Sequence, residues 1–127
     1  MRVVLDRQLR IPEESYLFDI RIKTLVLTEK EPEERASENV IFEALNFNEK
    51  LPAQVCDVLY RHEVQSVIIE GGLQTLQTFI EKGMWDEARI FTGKVQFKEG
   101  TPAPEISGNL ISEEKIASDI LKIYRND

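Results

Sequence analysis

The side chains that could do chemistry gather first at Val67-Ile68-Ile69-Glu70-Gly71-Gly72-Leu73-Gln74-Thr75-Leu76. The apolar run reads as a short buried strand, and apolar residues at 73, 76, 79 and 80 open a helix directly after it. Two adjacent glycines allow close backbone approach and dihedrals that other residues avoid. The first helical turn leaves backbone N–H groups without intrahelical partners, which makes the turn a candidate anion site. Glu70 falls at the carboxyl end of the expected strand, the edge where open α/β sheets bind ligands. A complete G-x-G-x-x-G or G-x-x-x-x-G-K-[ST] is absent, so a tight connection that binds nothing accounts for the same residues.

Arg7 and Arg10 form a second candidate. Placed after a strand in an acidic chain, their guanidinium forks suit a phosphate or carboxylate; the alternative is two solvated surface arginines. Asp86-Glu87 could serve as an acid/base couple, but neighbours on a strand entrance point in different directions, so a structural role is expected. Cys56 and His62 lie on or near a helical apolar stripe. A lone cysteine is commonly a small buried hydrophobe, and a histidine in a last helical turn is favoured by the helix dipole. One histidine in the chain excludes most histidine-based catalysis, and no zinc-ligand cluster or Ser-His-Asp set is present. No catalytic residue and no metal ligand is assigned.

These groups need positioning elements. Strands are expected at 2–6, 23–28, 40–45, 67–70, 88–92 and 118–124, with helices at 49–62 and 73–83. Asn48 is the expected N-cap of the first helix and Gly83 the αL cap of the second. Tyr16-Leu17-Phe18 is expected to pack onto the sheet, and the charged run 29–35 to be a solvated connection. Over residues 110–124, Ser112-Glu113-Glu114-Lys115 could open a helix, while Ile116, Ile120 and Tyr124 also fit an alternating strand, so the conformation of 105–118 stays open. Strands interleaved with helices imply an α/β fold with parallel pairing.

The chain has 127 residues, 42% of them hydrophobic and 31% charged, a composition suited to one globular domain over 1–127. No apolar run reaches the length of a membrane span. A single cysteine and an N-terminus without a signal pattern point to the cytoplasm. A net charge of −7 argues against nucleic acid as partner, though a small anionic cofactor needs only a local set of donors.

Three stretches together resemble the reductase domain of the bifunctional riboflavin biosynthesis protein RibD, whose fold is similar to that of dihydrofolate reductase. They are Arg2-Val3-Val4-Leu5-Asp6 with Leu9-Arg10-Ile11-Pro12; Ile69-Glu70-Gly71-Gly72 with Thr75 and Phe79-Ile80; and Gly83-Met84-Trp85-Asp86-Glu87. The resemblance covers about residues 2–104. It implies a mixed, mainly parallel sheet with flanking helices, and NADPH-dependent reduction of 5-amino-6-(5-phosphoribosylamino)uracil, a small pyrimidine substrate, to its ribitylamino product. It also implies that Glu70 contacts the substrate. The helix start, Gly71, Gly72, Leu73, Gln74, Thr75, Leu76 and on to Thr78, would hold the NADPH pyrophosphate, and Arg7 would lie near the adenosine end.

Where the family carries a zinc deaminase with H-x-E and P-C-x-x-C motifs, this sequence has neither, and the family's opening reductase strands are also missing. The chain therefore reads as an N-terminally truncated reductase domain, expected to bind NADPH weakly or not at all and not to turn over. An exposed sheet edge predicts a homodimer or higher oligomer. Two other readings stay open: a dihydrofolate reductase-like enzyme acting on another pterin or pyrimidine, and a non-catalytic nucleotide-binding or oligomerisation domain.

Overall fold

The computed structural model describes residues 1–19, 21–31 and 36–127, which form two compact units, Met1–Val67 and Ile68–Asp127. Part of the charged run expected to be a solvated connection, residues 32–35, lies outside the described residues. No helix among the described residues is long and apolar enough to cross a membrane.

In the first unit, β1 (Arg2–Leu5), β2 (Thr24–Thr28) and β3 (Val40–Ala44) form a parallel sheet in that order. β2 is buried at every position, as its nearly continuous apolar run requires of a central parallel strand covered on both faces. Leu25, Val26 and Leu27 are sealed from solvent, and burying each side chain is worth roughly 1.5–3 kcal/mol. The two buried threonines at its ends satisfy their hydroxyls locally. Thr24 Oγ1 donates to the Leu17 carbonyl at 2.8 Å and Thr28 Oγ1 to the Arg7 carbonyl at 3.2 Å.

Among the described residues, the link from β1 to β2 contains only a 3-10 turn, Tyr16–Phe18. Tyr16 does not pack onto the sheet as expected: it is 84% exposed, because the turn is held through its backbone. Arg2 donates to the Tyr16 and Leu17 carbonyls at 2.8 and 3.2 Å.

Helix α1 (Leu51–Arg61) starts later than expected. Its N-cap is Lys50, in the left-handed region at φ 45°, and Pro52 occupies the first turn, where its missing N–H is no loss. Asn48 is not the cap. Val55, Val58 and Leu59 form the buried face, while His62 leaves the expected apolar stripe to bond a carboxylate. Its Nε2 lies 2.7 Å from Glu43 Oε1 on β3, and Arg61 Nη2 lies 3.2 Å from Glu43 Oε2.

The strand expected at 67–70 is absent. Residues 64–70 adopt no strand, and Val67 and Ile68 are 44% and 84% exposed. An apolar run becomes a strand only where a neighbour takes its backbone hydrogen bonds, and none of the described strands does so. Glu70 therefore does not end a strand.

The second unit holds α2 (Leu73–Glu81), β4 (Glu87–Thr92), β5 (Asn109–Ile116) and β6 (Asp119–Arg125). Gly83, at φ 62°, closes α2 as expected: its N–H donates to the Ile80 carbonyl and that of Met84 to the Phe79 carbonyl, the paired bonds of a Schellman ending. The strands form an antiparallel sheet in the order β4-β6-β5.

Residues 112–115 do not open a helix. They lie in β5, because the turn at Ala117, φ 54°, folds this stretch back onto β6 and sets Glu113 3.3 Å from Lys122. β5 is exposed along its length and shifts register between Leu110 and Ser112, as charged and bulged edge strands do. Only glycine fits at 108, where a Cβ would meet the Trp85 ring and the Arg125 carbonyl at 2.7 Å. Glu87 pairs with Arg89 at 2.8 Å, and the Asp86 carbonyl accepts from the Asn126 N–H at 3.2 Å. The fold is α/β with both parallel and antiparallel pairing, and the parallel strands are joined by links in which the described residues form no α-helix.

The Glu43 cluster ties α1 to β3. Burial pushes the Glu43 carboxyl up, but the bonds and charges of His62 and Arg61 outweigh it and hold the group below its ordinary value of 4.5. A depressed carboxylate contributes stability above its unfolded pKa and loses it as pH falls through the folded value. Glu43→Gln should cost about 1 kcal/mol at pH 7, with the gap to wild type closing once pH drops below 4.5. Urea denaturation of both proteins at pH 7 and in acid checks this; a gap that stays constant would contradict it.

Candidate functional site

The carboxyl edge of the parallel sheet brings together residues from beyond all three strands. Asp6, just past β1, is buried. Its two carboxylate oxygens accept from the N–H groups of Arg10 and Ile11, both at 2.9 Å, and its own N–H donates to the Leu27 carbonyl at 3.0 Å. These bonds hold the tight loop in which Leu9 takes φ 53° and which projects Arg7.

The Arg7 guanidinium donates from Nε to Glu29 Oε2 at 2.9 Å and from Nη2 to Asn48 Oδ1 at 2.8 Å. It also lies 5.9 Å from the centre of the Phe47 ring, within the range of a cation–π contact. Glu29 immediately follows β2. Its Oε1 accepts the Phe47 N–H at 3.2 Å and its Oε2 also accepts from Gln8 Nε2 at 3.3 Å. The hydrogen bond from Arg7 outweighs partial burial and holds the Glu29 carboxyl below its ordinary range, so the group is ionised at neutral pH.

Glu29 is thus no member of a solvated connection but half of an ion pair, and Asn48 is a partner of Arg7 rather than a helix cap. Both were missed in the sequence because a residue's role at a sheet edge depends on which strands adjoin. The usable signal was position: an acid directly after the second strand, where α/β dinucleotide folds place the ribose-binding acid. Arg10 contributes its backbone N–H to Asp6, and its side chain bonds none of the described residues.

The other predicted site residues lie in the second unit. Gly72 is the N-cap of α2, at φ 55° and ψ 136°, and no side chain caps the helix. The first bond back to it comes from the Leu76 N–H, at 3.1 Å. The N–H groups of Leu73, Gln74 and Thr75 are therefore free of intrahelical partners. A Cβ at Gly71 or Gly72 would meet nothing within 4 Å, so the backbone there is open to a ligand. Glu70 is exposed and its carboxylate pairs with none of the described residues.

Further along α2, Thr78 Oγ1 donates to the Gln74 carbonyl at 2.7 Å, and Gln77 is engaged through both ends of its amide with the Glu105 backbone. Leu73 and Leu76 are half-buried. The donor set at the helix start is thus backbone N–H groups, suited to a phosphate oxygen. Among the described residues no group of His, Cys, Asp or Glu could hold a metal ion.

The fold is that of dihydrofolate reductase-like reductase domains. Residues 1–95 match the model of the RibD C-terminal domain, and the chain belongs to that family. It is 28% identical over 110 residues to the 2,5-diamino-6-ribosylamino-4(3H)-pyrimidinone 5′-phosphate reductase of Archaeoglobus fulgidus, an alignment covering 84% of this chain and 50% of that protein. Acinetobacter baumannii RibD superposes with a TM-score of 0.82 at 19% identity, over 98% of this chain and 37% of that one. A riboflavin biosynthesis reductase of Saccharomyces cerevisiae gives 0.78 at 17% identity, over 97% and 68%. The chain thus spans about half the length of the curated relative it matches.

Gly72 tests the helix start. Its φ of 55° is strained for any other residue although space is open around it, so Gly72→Ala should cost about 1–3 kcal/mol through backbone strain alone. Chemical denaturation measures this; a neutral result would show that the turn relaxes freely.

Proposed function

We propose that this chain is the cofactor-holding part of a single NADPH-dependent reductase domain of riboflavin biosynthesis, acting in the cytoplasm on 5-amino-6-(5-phosphoribosylamino)uracil. The observation that carries the reading is the uncapped, glycine-opened start of α2 in a chain of the RibD C-terminal domain family. Converting a ribosylamino to a ribitylamino group adds a hydride to C1′ and a proton to O4′ as the bond between them breaks. A reduced nicotinamide supplies the hydride.

In this reading the N–H groups of Leu73, Gln74 and Thr75 hold the pyrophosphate, the bare backbone of Gly71 and Gly72 admits its close approach, and the helix as far as Leu76 and Thr78 frames it. Glu70, exposed and paired with none of the described residues, faces the substrate and orients it by accepting a hydrogen bond. Arg7 lies toward the adenosine end, where its remaining N–H groups suit a 2′-phosphate. Because the alignment spans half of the archaeal reductase, turnover is expected of the full-length protein and not of these 127 residues alone. That relative's name favours a second reading, in which the pyrimidine is the 2,5-diamino-pyrimidinone.

In the full-length protein, Glu70→Gln should lower kcat/KM for the pyrimidine by about tenfold or more, and Arg7→Ala should raise KM for NADPH. NADPH oxidation with each pyrimidine decides between the substrates, and normal kinetics in both variants would remove the site assignment.

We also propose homo-oligomerisation, supported by the apolar side chains that the antiparallel sheet leaves exposed, Phe91, Leu110 and Ile111, beside an unpaired edge. Light scattering should show a dimer or larger species; a monomer at high concentration would refute it.

A further inference from the structure

We propose that Glu29 sets the discrimination between dinucleotides with and without a 2′-phosphate, by holding Arg7 in an ion pair. The inference rests on the cofactor reading above and concerns only the first unit. At the carboxyl edge of an α/β sheet, an arginine suits a ribose 2′-phosphate, whereas an acid suits the free 2′-hydroxyl, which donates to it. This chain carries both, in mutual contact at 2.9 Å.

The acid is not free to swing aside. Oε1 is held by the Phe47 N–H at 3.2 Å and Oε2 is shared between Arg7 and Gln8, so moving the carboxylate breaks bonds to three residues. Arg7 is likewise held from its other side by Asn48 at 2.8 Å. A 2′-phosphate bound at Arg7 would stand beside a fixed carboxylate and be repelled by it. An unphosphorylated ribose would meet an acceptor there. Arg7 and Glu29 thus oppose each other in cofactor choice, and the acid blunts the preference that the arginine alone would create.

The test uses 2′,5′-ADP and 5′-AMP as probes, titrated by calorimetry or NMR into the full-length protein. Glu29→Gln keeps an acceptor for the Phe47 N–H and removes the charge. It should tighten 2′,5′-ADP by about tenfold while leaving 5′-AMP within about twofold, and the NADPH-to-NADH ratio of kcat/KM should rise in parallel. Glu29→Ala should do the same if it folds. In an Arg7→Ala background, Glu29→Gln should no longer sharpen the discrimination. If the wild type binds the probes and Glu29→Gln leaves their affinity ratio unchanged, or changes it equally without Arg7, the role of Glu29 is refuted and the cofactor reading survives. If neither protein binds either probe, both fall.

Discussion

The burial of β2 on both faces is the constraint on which the first unit depends. Its five residues are all buried, so the strand must be central, and its backbone must be paired on both sides to avoid orphaned polar groups. The ladders that result, Leu5 against Leu27 and Thr28 against Ala44, fix where the neighbouring strands end. Asp6 and Arg7, Glu29, and Phe47 and Asn48 therefore leave the sheet at one edge. A slip of one residue would turn every β2 side chain to the opposite face and dismantle that meeting.

Polar groups at this edge are satisfied by one another rather than left for solvent. Asp6 accepts two backbone N–H groups, Thr28 accepts from the Lys30 N–H and donates to the Arg7 carbonyl, and Glu29 gathers Arg7, Gln8 and Phe47. Arg7 thus presents a guanidinium whose charge is already partnered. The start of α2 offers donors of a different kind, uncharged N–H groups oriented by the helix with glycine backbone in front of them. Such donors add no net charge to a chain whose formal charge is −7.

The second unit solves an edge problem. β6 is covered on both sides by β4 and β5, and it contributes the buried Leu121. β5 carries the exposed edge with a register shift and charged residues, devices that discourage indiscriminate strand pairing. The Trp85 ring, lying against the backbone of Gly108, anchors the approach to β5 where a larger residue could not pass.

Local signals determined much of this. The apolar run of β2, the stripe of Val55, Val58 and Leu59, the opening of α2 at the glycine pair and its ending at Gly83 were legible because each depends on neighbours within a few residues. The motifs around Asp6, Gly72 and Trp85 pointed to the family for the same reason. Tertiary structure alone decided the rest. Whether Val67-Ile68-Ile69 forms a strand depends on a partner strand, whether 112–115 is helix or strand depends on β6, and whether Glu29 is solvated or paired depends on the loop that brings Arg7 beside it. Those outcomes turn on which distant backbone or charge arrives next to a residue, and that information is carried by sheet pairing rather than by local periodicity.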